Sequence, residues 1–228
     1  MSKCFLFDAC NHKDCDKDFC LRKYKMDSLY SAALMTESQK QHVALRIDSD
    51  GADLEQFKQL SAIEQNIVDF ITSGKNLYIH SANCGNGKST WSVRLAEAYF
   101  NKIWARTDSR CRVLFISVPR FLLALKDNIT ARSSYVDYIK DNVLTADLVI
   151  WDDIAAKMGS EFELTHLLNI IDNRIALGKS NIYTSNLNRQ QLYSALGERL
   201  TSRIANMSID IELFGADKRF LKLEEGNQ

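Results

Sequence analysis

Residues 82 to 89 read Ala82-Asn83-Cys84-Gly85-Asn86-Gly87-Lys88-Ser89, and few runs this short restrict a fold so tightly. The run follows an apolar segment at 77–80 and opens an amphipathic one. It matches the phosphate-loop pattern G-x-x-x-x-G-K-[ST] at every fixed position but the first, where Ala82 stands for Gly. Gly85 and Gly87 let backbone N–H groups curl around phosphate oxygens with no Cβ in the way. The helix N-terminus that follows adds partial positive charge. Lys88 is then placed for the β- and γ-phosphates and Ser89 for Mg²⁺. Asn86 and Thr90 complete the set of candidate cofactor-binding residues in this run. The expected ligand is ATP or ADP with Mg²⁺. Cys84 reads as a small residue lining the loop.

Such a loop needs a strand before it and a helix after it, and the rest of the chain supplies more of both. Leu54, Phe57 and Leu60 share one helical face. Ser61-Ala62-Ile63-Glu64 reads as a capping box opening a second helix, with Ile67, Val68, Phe70 and Ile71 inward. Gly74 is a helix stop. Strands are expected at 77–80, 113–118, 147–151 and 180–184, with weaker ones near 208–213 and 219–223. Helices are expected from Lys88, after the single proline Pro119, at 161–177, 189–196 and 197–205. Strands alternating with helices indicate an α/β domain with a mainly parallel sheet. Residues 26–53 are polar and mixed in charge, with weak helical character around Met26–Met35 and a breaker at Ser49-Asp50-Gly51, and read as a linker, giving three parts: 1–25, 26–53 and 54–228.

Two further constellations carry chemistry. Leu148-Val149-Ile150-Trp151-Asp152-Asp153 is an apolar strand ending in two acids. Acids at that edge suit Mg²⁺ and water activation: Asp152 would hold the ion and Asp153 would polarise the attacking water. Thr184-Ser185-Asn186 ends the next strand, where a polar residue senses phosphate or orients water.

Cysteines are unevenly placed. Cys4, Cys10, Cys15 and Cys20 fall within the first twenty residues, and only Cys84 and Cys111 lie elsewhere. Gaps of this size allow four thiolates around one tetrahedral ion, with His12 as a substitute ligand. A structural Zn²⁺ would supply folding energy that so short a segment lacks. The alternative is four reduced cysteines in a loose arm. Four thiolates would leave no open position for catalysis.

Composition narrows the function classes. With 29 Lys+Arg against 29 Asp+Glu in 228 residues, bulk electrostatic coating of nucleic acid is excluded, but a local basic strip is not. Arg106, Arg110, Arg112, Arg120, Lys126 and Arg132 could form one; a solvated surface is the other reading. Apolar residues at 46% are enough for a sizeable core. No apolar run approaches the roughly 20 residues of a membrane span. No membrane association and a cytoplasmic location are the expectations, so disulfides are not expected.

Residues 54 to 223 resemble the AAA+ ATPases of the bacterial and phage replicative-helicase loaders, of the DnaC and DnaI type, and their relatives the IstB-type transposition helper ATPases. The resemblance rests on ANCGNGKST, VLFISVPRFLLALK, LVIWDD, IIDNRIALGKSNIYTSNLNRQQL, LGERLTSRI and GADKRFLK, in that order. It implies an AAA+ (ASCE) P-loop core with a central parallel sheet and an abbreviated lid, beside a small N-terminal zinc-binding module. It also implies roles. Lys88 and Ser89 belong to Walker A, Asp152 and Asp153 to Walker B, and Asn186 is sensor 1. Arg203 is the arginine finger through which protomers self-associate, with Arg199 beside it, and Arg219 matches the sensor-2 arginine. The implied function is an ATP-dependent loader that binds a DnaB-like hexameric helicase and places it on single-stranded DNA during replication initiation. Two other readings stay open: an IstB-type helper, and a nucleotide-switched adaptor with little turnover, which Asp153 in place of Glu keeps alive.

Overall fold

The computed structural model describes residues 4, 6, 19–40, 45, 51–108, 110–156 and 159–218. Five short strands make one parallel sheet: β1 (Asn76–His80), β2 (Val113–Ser117), β3 (Leu148–Asp152), β4 (Ser180–Ser185) and β5 (Ser208–Glu212). Their spatial order is β2-β3-β4-β1-β5, so the chain crosses from β1 to the far edge and returns strand by strand. Parallel strands need crossovers, and helices supply them. These are α5 (Lys88–Ile103), α6 (Val118–Asp127), α7 (Ser134–Asn142), α8 (Glu161–Ala176) and α9 (Arg189–Thr201), while α1 (Leu21–Ala32), the single turn α2 (Glu37–Lys40), α3 (Leu54–Gln65) and α4 (Ile67–Thr72) precede β1.

Helices on both faces bury both faces of the strands, which is why the strands read as apolar runs rather than alternating ones. Within β1, Leu77 and Ile79 point into one core with Leu95, Phe100, Val113, Ile150 and Ile182. Tyr78 points into the other with Leu114, Val149, Trp151, Leu167 and Leu192. The strand period of two sets this division. Trp91, Leu95 and Tyr99 of α5 are buried as the helical spacing predicts. No described helix is long and apolar enough to cross a membrane.

The expected strands and main helices fall within a residue or two of the observed ones, except 219–223, which lies outside the described residues. Three expectations differ. Ser61 does not open a helix: α3 runs unbroken from Leu54 to Gln65, and Glu64 pairs with Arg94 at 2.9 Å instead of capping. The break falls at Asn66, whose side-chain amide donates to the Ala62 carbonyl. Real capping boxes occur at Ser160/Glu163 and Asn188/Gln191.

The second difference is larger. The segment read as a linker carries α1, and Met26, Leu29, Tyr30 and Ala33 are buried in the core. Ala33 also gives its carbonyl to the Phe115 N–H at 2.8 Å, which covers the free edge of β2. A buried side chain of this size contributes roughly 1.5–3 kcal/mol. Three of them rival the whole net stability of a small domain.

The third concerns the basic strip. Arg112 precedes β2 and Arg120 follows it, so the five-residue strand, about 17 Å long, separates the two halves. Arg110 pairs with Asp108, Arg112 with Asp147, Lys126 with Glu163 and Arg132 with Asp137. Arg120 lies over the Tyr135 ring. A continuous positive strip does not form from these residues.

Candidate functional site

β1 ends at His80, and the loop 81–87 delivers the chain to the start of α5. Gly85 and Gly87 have φ of +70° and +105°, left-handed values that a side chain resists. Lys88 is buried, and its Nζ donates to the Asn83 carbonyl at 2.7 Å and to Asn86 Oδ1 at 3.2 Å. Asn86 is buried too, its amide donating to Ser81 Oγ at 2.6 Å. The Lys88 charge also acts on the Asp152 carboxylate.

A strap braces the outside of this loop. The N–H groups of Phe214 and Gly215 donate to the Asp53 carboxylate at 2.6 and 3.0 Å. Their carbonyls accept from the Asn83 amide, and Lys218 N–H donates to the Gly85 carbonyl. A Cβ on Gly85 would lie 1.8 Å from Asp217 Oδ1, so close approach requires glycine there. No sequence signal foretold that residues 213–218 cross this loop. Arg219 lies outside the described residues.

The second part of the site is the end of β3. Asp152 Oδ1 accepts from Thr184 Oγ1 at 2.8 Å, and the Ser89 hydroxyl lies near the same carboxylate. Burial raises the Asp152 pKa, and adjacent Asp153 adds to this. The two hydroxyls and the Lys88 charge oppose it. Asp153 turns left-handed, with φ +56°, and its N–H donates to Thr184 Oγ1 at 2.9 Å. It lines a cavity of about 40 Å³ with Val118, Pro119 and Leu122, room for a water or two. Thr90 and Ser89 line another cavity, of about 140 Å³, with Ser38, Gln39 and Val93.

Lys88, Ser89 and Asp152 therefore come together, while Asp153, next in the chain, lines the cavity beside Pro119. Asn186, half-buried, stands one residue past β4, whose last residue pairs with His80. Arg203 instead pairs with Asp172 of α8, and Arg199 is exposed. The expected break at Gly197 is present as a kink, φ +77°, inside α9. A π-helical turn, Ser202–Asn206, then carries Arg203.

The cysteine cluster is described only at its ends: Cys10, Cys15 and His12 lie outside the described residues. Cys4 is exposed, and Cys20 is the N-cap of α1, its sulfur accepting from Lys23 N–H at 3.5 Å. Among the described residues, no group of three or more His, Cys, Asp or Glu is placed to hold a metal ion.

Sequence reasoning missed Arg174. It is fully buried, and burial lowers its pKa to about 10. Its guanidinium donates to Asn181 Oδ1, to the Val143 and Ala146 carbonyls and to the Ser180 carbonyl. The signal was its spacing: three residues after Ile171 and seven after Leu167, on the buried stripe of α8.

Sheet order, the β1–α5 loop and the acid pair at the end of β3 define the class, an AAA+-like α/β core. No family model matches the chain. The replicative helicase loader DnaC of Escherichia coli strain K12 is 28% identical over 139 residues, 61% of this chain and 51% of the relative. DnaC of Buchnera aphidicola subsp. Acyrthosiphon pisum is 27% identical over 141 residues, again 61% and 51%. The chain thus spans about half the length of the curated relatives it matches. Among solved structures, the DnaC helicase loader superposes with TM-score 0.58 at 20% identity, covering 72% of this chain and 90% of that one. DnaI gives 0.58 at 19%, covering 81% and 94%. DnaA bound to AMPPCP and single-stranded DNA gives 0.57 at 21%, covering 80% and 54%. The chain is thus similar in sequence to part of the DnaC helicase loaders and similar in fold to DnaC, DnaI and DnaA.

Proposed function

We propose that this chain is an ATP-dependent helicase loader, which binds a DnaB-like hexameric helicase and helps place it on single-stranded DNA. The observation that carries the reading is the Asp152 carboxylate, which accepts from Thr184 and lies near Ser89 and the buried Lys88. Lys88 binds phosphate oxygens, together with the N–H groups of the Gly85–Gly87 turn. Ser89 and Asp152 are the residues that would hold Mg²⁺, which when bound shields phosphate charge. The Ser89 hydroxyl would donate a hydrogen bond toward Asp152 and keep its oxygen lone pairs for a cation. Asp153 draws a proton from the attacking water at its carboxylate, and Asn186 orients that water. Arg203 leaves Asp172 to reach the phosphates of a neighbouring protomer.

Sequence spacing alone supports the remaining assignments: zinc on Cys4, Cys10, Cys15 and Cys20, helicase docking through residues 1–25, and Arg219 at the nucleotide. Metal analysis of the purified chain tests the zinc. Co-purification with its cognate hexameric helicase, with and without ATP, tests the loader. A complex is expected with ATP, and none forming under either condition would refute the loader reading. ATP turnover, measured with and without single-stranded DNA, should vanish in Lys88→Ala. It should fall in Arg203→Ala if protomers associate. Equal, wild-type turnover in both variants would overturn the site assignment.

A further inference from the structure

Thr184 is one of three polar residues ending β4, and its hydroxyl hydrogen-bonds both acids of the pair. It is fully buried. The β3–β4 ladder runs from Leu148↔Ser180 to Trp151↔Tyr183 and stops there. It stops because Asp153 swings to a left-handed φ. Thr184 takes over the connection in three ways. Its hydroxyl donates to Asp152 Oδ1 at 2.8 Å. The same oxygen accepts the Asp153 N–H at 2.9 Å. Its carbonyl accepts the Ile154 N–H at 2.8 Å. Ser185 closes the clasp, its hydroxyl donating to the Ile154 carbonyl at 2.8 Å.

One hydroxyl proton and one lone pair are thereby committed to consecutive acids, which fixes the Thr184 rotor. A donor on Asp152 fixes the carboxylate plane and leaves its remaining lone pairs facing Ser89. An acceptor for the Asp153 N–H satisfies the buried amide that the left-handed turn would otherwise orphan. That turn takes the chain off the strand line at Asp153, which lines the small cavity beside Pro119.

We infer that Thr184 is a positioning residue that holds Asp152 and Asp153 in two different roles, one toward the cation and one toward water. The inference rests on the proposed ATPase reading and deepens it. Partners that orient a metal-holding carboxylate are typically worth about 10–100-fold when removed.

The test compares wild type with Thr184→Val, which keeps the shape and loses the hydroxyl, and Thr184→Ser, which restores it. Thr184→Ala replaces the valine variant if that one does not fold. In Thr184→Val, kcat for ATP should fall about tenfold or more with KM within about twofold. Thr184→Ser should return to within about threefold of wild type. Fluorescent ADP binding without Mg²⁺ should be the same in all three chains. The Mg²⁺ concentration that half-saturates tighter binding should rise several-fold in Thr184→Val alone. Wild-type kcat and Mg²⁺ dependence in Thr184→Val would overturn the inference. So would equal losses in the valine and serine variants, or weakened Mg²⁺-free binding, since those mark a packing role. A wild type that binds Mg²⁺–nucleotide without turnover fails the ATPase reading, and Mg²⁺ dependence then decides on Thr184. A wild type that binds no nucleotide refutes both.

Discussion

The two ends of the central sheet use the same kinds of side chain for opposite purposes. At the carboxyl edge stands a buried lysine, at the amino edge a buried arginine. Arg174 has four of its five donor hydrogens bonded to fixed oxygens. The network continues sideways: Trp151 donates to Asn181 Oδ1, the Asn181 amide to Asn76 Oδ1, and the Asn76 amide to the Met207 carbonyl. Every strand from β3 to β5 is tied in, and the chain itself satisfies the network. Lys88 sits instead in a turn of left-handed glycines, beside an aspartate whose ionisation is disfavoured. A buried cation by itself therefore says little. What separates scaffold from site is the neighbourhood: Arg174 is held by the sheet's own amide and carbonyl oxygens, Lys88 by a glycine turn next to an acid.

The contrast can be broken, starting with the largest effect. Arg174→Ala should cost about 3–5 kcal/mol, because it leaves buried carbonyls without donors. Urea unfolding monitored by circular dichroism measures it, and a loss under 1 kcal/mol would erase the distinction. Lys88→Ala should do the reverse. Turnover should drop at least about 100-fold, equivalent to roughly 2.7 kcal/mol, while the urea midpoint stays near wild type. A destabilised Lys88→Ala chain would make the two cations alike.

A third effect lies on the amino side, where Cys111 precedes β2. Burial pushes its thiol up to about 11, from an ordinary value of 9.0. The unfolded chain then loses this proton first. The thiol's contribution is complete below pH 9 and disappears as pH rises to 11, at most about 2–3 kcal/mol. Unfolding free energies across that range should fall less steeply in Cys111→Ala than in wild type. The smallest effect concerns Arg203 and Asp172, both about two-fifths exposed. Asp172→Ala should change stability by less than about 1 kcal/mol. A larger loss would move Arg203 from the functional side of the comparison to the structural one.

The carboxyl edge was the more legible in the sequence, for a physical reason. Phosphate chemistry needs particular residue types at fixed spacing, so Gly85, Gly87, Lys88 and the acids after Ile150 announce themselves. Apolar runs likewise announced the strands. The amino edge depends on partners distant in sequence, and Asn76, Val143, Arg174 and Asn181 form no local pattern. α1 showed only as weak helical character because it buries Met26, Leu29 and Tyr30 while most of its other side chains face water, and nothing local said that it joins the core. The Ser61/Glu64 pattern misled because a serine and a glutamate three apart occur inside helices as well as at their starts. Thr184 lay within the right motif, but sequence could not say that its hydroxyl faces the acids rather than a ligand.

The hydrogen bond from Phe115 to Ala33 bears on how the protein can be cut down. A chain shortened to start at Leu54 would keep every residue matched to the phosphate-loop pattern. It would also strip the cap from β2 and bare an apolar groove beside an open strand, the surface on which a second molecule can add a strand of its own. Shortened chains that clump on purification would then report a lost seam, and their poor turnover would say nothing about Lys88.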